Sequence, residues 1–421
     1  MPKKRVVITG IGIVSPVGNN RESTWKAVLE GKSGIDKITV FDTEKFPCKI
    51  AGEVKNFSID TVIPEEKRKL KKYIARGAGF GIAASYEAME DAGLLDSNGI
   101  DKKRLGVCIG NSGQRAFLNN WTSIHKAYCE NFKNMPFINV TDFLKNKYHT
   151  CSELISIFHG AEAFNYSIST ACASGTQALG LAGRMIQNNQ ADVVIAGGCD
   201  SMINEIDLMS FCLLGAVTTS FNENPTEGSC PFSKKRSGFV LGEGGAVLIL
   251  EELEHALKRG VRIYGELTGY GTTMSAYSLT DPPPNGDAAY SSMKAALKDA
   301  GMEAEKIDYI NAHGTSTRDN DLTETLSIKR LFGERAYNIP VSSTKSTTAH
   351  LISGAGAIEA AFCALAIRDD KLPPTMNLNE RDGQCDLDYI PLTYRLKRID
   401  CALSNSLGFG GSNATIVINR F

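Results

Sequence analysis

The amino-acid sequence predicts an α/β fold built from two similar halves. Short β-branched runs alternate with longer helical patterns along the whole chain, and the same kinds of segment return after residue 235. That is the mark of duplicated strand–helix units. At 421 residues, 42 % hydrophobic, the chain has room for one large duplicated unit.

The elements follow in order. RVVITGIGI (5–13) reads as a buried strand, and residues 74–94 as a helix with small residues on one packed face. RLGVCIGNS (104–112) is a strand that ends in glycine and polar residues, and ADVVIAGGCD (191–200) repeats that grammar. Between them, YSIS (166–169) reads as a buried strand and 173–187 as a helix. In the second half, 239–253 reads as a strand hairpin and 262–273 as a strand. Residues 288–302 form a helix, 307–316 a strand and polar turn, and 339–350 a strand and loop. A Gly/Ala-rich helix spans 351–369, and a final strand pair around a glycine loop spans 401–419.

A formal charge of −1 argues for neither nucleic acid nor a membrane surface as partner. No apolar run reaches the ~18 residues of a spanning helix. The apolar start of the chain is short and broken by Gly10 and Gly12, so no signal peptide is expected. Eleven cysteines are scattered without a CxxC pair, which favours reduced thiols in a cytosol. TGIGIVSPVG has Ser15 where a dinucleotide fingerprint needs its third glycine.

Three polar loops follow predicted strands, where α/β folds gather their sites. TACASG (170–175) places Cys172 between a strand and a helix N-terminus, among small neighbours. Unpaired N–H groups and the helix dipole are expected to lower its thiol pKa there. A buried core cysteine is the plain alternative. NAHGTSTRDND (311–321) carries His313, and STKSTTAH (343–350) carries Lys345 and His350. One histidine at a strand end is usually structural; two with a cysteine make a stronger set, as a nucleophile with its partners or as a metal site. The wide spacing and the small polar neighbours favour no metal. SLGFGGSN (406–413) is either a tight turn or a loop offering a backbone N–H to an oxyanion.

TACASG, NAHGTST, KSTTAH and GFGGSN, in this order, resemble the β-ketoacyl-acyl-carrier-protein synthases, closest to the elongating type with two active-site histidines. The resemblance runs from VVITGIG to the C-terminus and includes PFSKKRSGFVLGEGGAVLILE (231–251). It implies a thiolase fold, with duplicated halves in a five-layered α-β-α-β-α sandwich, normally dimeric. The nucleophile would sit in residues 1–255 and the two histidines in 256–421. Cys172 would carry an acyl group as a thioester. His313 and His350 would hold the thioester oxygen while a malonyl group on a carrier protein loses CO2. The N–H groups of Cys172 and Phe409 would form the oxyanion hole, and Lys345 and Glu359 a charged pair. Thr315, Thr317 and Thr280 would meet the pantetheine arm; Gln114 and Phe211 would line the acyl pocket. Asp321 and Glu324 are expected to be structural. No cofactor is implied, and the implied product belongs to fatty acid, polyketide or polyene synthesis.

Several positions depart from the family pattern. Gln114 is polar where an apolar pocket residue is usual, Leu407 replaces an aromatic residue, Ser278 a histidine and Ala349 a glycine. They point to an altered acyl specificity. The basic run EEKRKLKKYIAR (65–76), with Lys67, Arg68, Lys69, Lys71 and Lys72, is either a solvated face or a docking patch for an acidic carrier protein. Rival expectations are a non-catalytic chain-length-factor-like partner, a thiolase, and a synthase active only as a heterodimer with a related subunit. The first lacks the cysteine, and the second uses another cysteine in the C-terminal loop.

Overall fold

A computed structural model of the chain describes residues 3–95, 100–113, 118–129 and 140–421. Its main sheet has ten strands. In the N-terminal half these are β1 (Val6–Val14), β2 (Leu105–Gly110), β3 (Asn165–Ile168), β4 (Val193–Ser201) and β5 (Glu243–Glu252). In the C-terminal half they are β6 (Gly265–Met274), β7 (Tyr309–Asn311), β8 (Val341–Ser342), β9 (Cys401–Leu407) and β10 (Ser412–Asn419). Both halves lay their strands across the sheet in one order, first-fifth-fourth-second-third. In both, the second pairs parallel with the third and fourth, and the fifth runs antiparallel to the fourth and first. The duplication is therefore plain in topology. A two-residue antiparallel contact between β1 and β6, at Val7–Glu266 and Ile8–Gly265, joins the halves.

Helices α1 (Arg76–Asp91) and α2 (Thr150–His159) pack on the N-terminal half. α5 (Asp287–Ala300) and α6 (Arg318–Phe332) pair beside the C-terminal half. α3 (Ser174–Gln187) and α8 (Ala355–Asp369) contact strands of both halves and form the middle layer. This is the five-layered sandwich the resemblance implies. α4 (Glu205–Leu213) and the short α7 (Lys345–Thr348) complete the frame. Helix α8 is buried on every side, as a helix between two sheets must be. Glycine sets its distance to α3: a Cβ at Gly356 would lie 2.0 Å from Thr176 Oγ1, and one at Gly175 2.8 Å from the Ser353 carbonyl.

Two expectations are corrected. Residues 239–253 contain no hairpin, because β5 runs straight and pairs with β1 and β4. Gly244, at φ +139°, lets the chain pass the Val14 carbonyl, where a Cβ would stand at 2.5 Å. Strand β3 is not buried: among the described residues it pairs only with β2, at the edge of the sheet, and it leaves Tyr166 exposed.

Candidate active site

The turns after the third strand of each half bring the cysteine and one histidine together. Cys172 lies four residues past β3, just before α3. Ala171 turns the chain at φ +50°, and Ser174 Oγ staples the turn, accepting from the Thr170 N–H and donating to the Ala171 carbonyl. His350 follows α7. Its N–H donates to the Val240 carbonyl at 2.9 Å, and its own carbonyl accepts from the Gly242 N–H. His313 comes from the turn after β7, where Glu324 accepts from the N–H groups of His313 (2.8 Å) and Gly314 (2.9 Å). Glu324 thus acts structurally, as does Asp321, which accepts from the Phe232 and Ser316 N–H groups.

Cys172 Sγ stands 3.0 Å from His350 Nε2. The Ile352 N–H donates to His350 Nδ1, so the proton of the neutral ring sits on Nε2, facing the sulfur. The rings of His313 and His350 lie 5.4 Å apart at 83°, and Phe239 presses edge-on against His350. Sequence patterns gave no sign of the Ile352 and Phe239 contacts, which depend on the turn at Ile352 (φ +48°) and on cross-chain packing.

Burial dominates the electrostatics. The Cys172 thiol is pushed up to about 11, contrary to the lowering expected from its helix terminus, because its surroundings exclude water. Lys345 and the N–H groups of Phe409 and Cys172 itself act against this and favour the sulfur anion. Both histidines fall well below the usual imidazole range, through burial first and then the Lys345 charge, so both are neutral at pH 7. Lys345 pairs with Glu359, both buried; burial raises Glu359 to about 7 despite the lysine.

The resting site is therefore a neutral thiol beside two neutral imidazoles, with a buried ammonium behind them. The possible ligand atoms of Cys172, His313 and His350 lie within 4.8 Å of one another, so the trio also has the reach of a three-ligand metal site.

A cavity of about 430 Å³ leads from this group to the surface. Thr280, Thr315, Thr317 and Phe409 line it; the Thr315 and Thr317 hydroxyls are bonded at 2.9 Å. Phe211 does not line it but packs edge-on behind Phe239. Gln114 lies outside the described residues. In the basic run, Lys67 donates to the Ile157 and Phe158 carbonyls at the end of α2, which makes it a cap. Arg68 pairs with Glu65 and Lys71 with Asp60, and Lys72 stacks on Tyr73. Arg68, Lys69, Lys71 and Lys72 are exposed.

Family models described as "Beta-ketoacyl synthase, N-terminal domain" and "Beta-ketoacyl synthase, C-terminal domain" match residues 3–256 and 264–379. The chain belongs to the β-ketoacyl synthase family, whose members are acyl-transferring condensing enzymes. It is 42 % identical over 426 residues to 3-oxoacyl-acyl-carrier-protein synthase 2 of Synechocystis sp., covering 100 % of this chain and 99 % of that one. The protein of that name from Coxiella burnetii is 42 % identical over 422 residues, with the same coverage. Among solved structures, a β-ketoacyl synthase from Burkholderia phymatum aligns with a TM-score of 0.90 at 31 % identity, over 99 % of this chain and 100 % of that one. A type II polyketide ketosynthase, solved with its acyl-carrier protein and bound to a hexaketide, gives 0.87 at 34 %, covering 100 % of both. The ishigamide ketosynthase/chain length factor gives 0.89 at 29 %, also covering 100 % of both.

Proposed function

We propose that this chain is a β-ketoacyl-acyl-carrier-protein synthase with Cys172 as its nucleophile. The observation that carries this is His350 Nε2, 3.0 Å from Cys172 Sγ, with His313 beside it. Cys172 attacks the thioester of an acyl-carrier protein; its proton leaves with the departing pantetheine thiol. Acylation turns the sulfur into a poor acceptor and frees the His350 N–H. Malonyl-carrier protein then binds, and its thioester oxygen takes up the electrons of the breaking C–CO2 bond. His350 and His313 stabilise that enolate as N–H donors, and Lys345 adds positive potential held in place by Glu359. The enolate carbon attacks the acyl thioester. The N–H groups of Cys172 and Phe409 hold the tetrahedral oxyanion until the Cys172 sulfur leaves and is reprotonated.

Thr315, Thr317 and Thr280 bind the pantetheine arm; Phe211 acts on the acyl side only through Phe239. Residues 1–255 supply the nucleophile and 256–421 the histidines. The exposed basic residues Arg68, Lys69, Lys71 and Lys72 dock the acidic carrier protein. Unpaired cysteines support a cytoplasmic setting, and no described helix is long and apolar enough to cross a membrane. The product belongs to fatty acid, polyketide or polyene synthesis.

A heterodimer with a chain-length-factor-like subunit is the second reading. Strand β3, paired on one side among the described residues, and the likeness to a ketosynthase/chain length factor favour a second subunit, identical or related. The test is intact-mass analysis of the purified chain with a panel of acyl-carrier proteins, with Cys172→Ala alongside. A thioester on the wild type alone, formed equally in EDTA, is the expected result. Adducts only after a related subunit is added would establish the heterodimer. A thioester that survives Cys172→Ala would refute the nucleophile, and loss in EDTA would establish a metal site.

A further inference from the structure

Arg318 opens helix α6 and lines the same cavity as Cys172 and the two histidines. It is exposed, and among the described residues it is the one lysine or arginine lining that cavity. Its backbone is anchored, because its carbonyl accepts from Arg236 Nη2 at 3.2 Å. Its guanidinium makes no ion pair or hydrogen bond among the described residues. The other charged groups on the lining are carboxylates, Asp281 and Asp319. Asp281 is already engaged by the hydroxyls of Ser278 and Thr280.

We propose that Arg318 binds the phosphodiester that links the pantetheine arm to its carrier protein, and so selects phosphorylated donors. The inference rests on the function proposed above. The arm itself is neutral, and hydroxyl groups suffice for its amides; the phosphodiester at its far end is an anion at every working pH. Without a cation, Asp281 and Asp319 would repel it. Guanidinium is the side chain best matched to two phosphate oxygens at once. Arg318 is a positioning residue, remote from the reacting atoms in role, so its loss should act on KM and spare kcat.

The test compares malonyl-phosphopantetheine with malonyl-pantetheine as donors to acylated enzyme, in wild type, Arg318→Ala and Arg318→Lys. Wild type should favour the phosphorylated donor by roughly tenfold in KM, about 1.4 kcal/mol. In Arg318→Ala the ratio of the two KM values should collapse toward one, with kcat retained. Lysine should restore part of it, and added salt should shrink it in wild type. A ratio unchanged in Arg318→Ala would overturn the assignment, as would an equal rise in both KM values. Binding of phosphopantetheine and of pantetheine, measured by calorimetry, needs no turnover. If neither donor condenses, the proposed function fails, while the phosphate preference in binding still decides the role of Arg318.

Discussion

Replacing Ala349 by glycine should leave the protein as stable as before or more so, although it deletes a buried methyl group. Ala349 sits at φ +59°, ψ −171°, a region that glycine occupies freely and other residues do not. Such a conformation costs of order 1–3 kcal/mol. The structure holds it firmly, with the Ala349 N–H donating to the Lys345 carbonyl and His350 fixed next along the chain. The methyl group is tolerated because glycines face it: a Cβ at Gly52 or Gly242 would lie 2.8 or 3.0 Å from it. Against the strain relief stand about 0.4–1 kcal/mol for the freer unfolded chain and about 0.8 kcal/mol for the lost methyl burial. At mid-range these leave a gain of about 0.5 kcal/mol. The assay is urea unfolding at constant m, with Ala357→Gly as control. Ala357 buries the same methyl group inside α8, and glycine there should cost about 1–2 kcal/mol. If both variants lose equally, the strain at Ala349 does not exist.

Four further outcomes are expected. With the Cys172 thiol near 11, its alkylation by iodoacetamide, followed on its own peptide, should rise about tenfold per pH unit through neutrality; a plateau below pH 8 would contradict the burial argument. Lys345→Ala should lower stability in urea unfolding by leaving the buried Glu359 carboxyl without its partner, and adding Glu359→Gln should recover part of that loss. Glu359, raised from 4.5 to about 7, holds its proton more tightly folded than unfolded. Its contribution to stability therefore falls as pH climbs through that window, and Glu359→Gln should remove that slope. Arg68→Glu with Lys69→Glu should raise KM for the carrier protein several-fold at low salt and less at high salt; an unchanged KM would return the basic run to a solvated face.

Local pattern made much of the fold legible. Strands β1, β2 and β4, the helices α1, α3 and α8, and the final strand pair follow from apolar runs and small-residue stripes. What eluded the sequence depends on partners far along the chain. NYSI has the composition of a buried strand, yet among the described residues only one neighbour pairs with it. Gly242 and Gly244 look like hairpin glycines, but they serve close passage beside Ala349 and Val14. Four motifs marked the residues that meet at the candidate site, whereas the thiol pKa was not legible. A helix terminus is visible in sequence, but the exclusion of water that outweighs it belongs to the assembled halves. Phe211 stands one ring away from the cavity, a distinction no motif carries.

The shared strand order also explains why the site lies where it does. Cys172 follows the third strand of its half and precedes α3; His350 follows the third strand of its own half and precedes α8. The two residues occupy equivalent corners of a duplicated unit. α3 and α8 form the middle layer, so packing them against each other turns those corners face to face. The close approach of Gly175 to Ser353 and of Gly356 to Thr176 sets how near the corners come. On this argument the 3.0 Å between sulfur and imidazole is a property of the helix pair as much as of the loops. Gly356→Ala, at a position that does not line the cavity, should spread the pair and lower the rate of acyl loading onto Cys172 by roughly 10²-fold, the order of effect expected for a 1 Å misplacement. Loading at the wild-type rate in a folded Gly356→Ala would show that the loops alone set the distance.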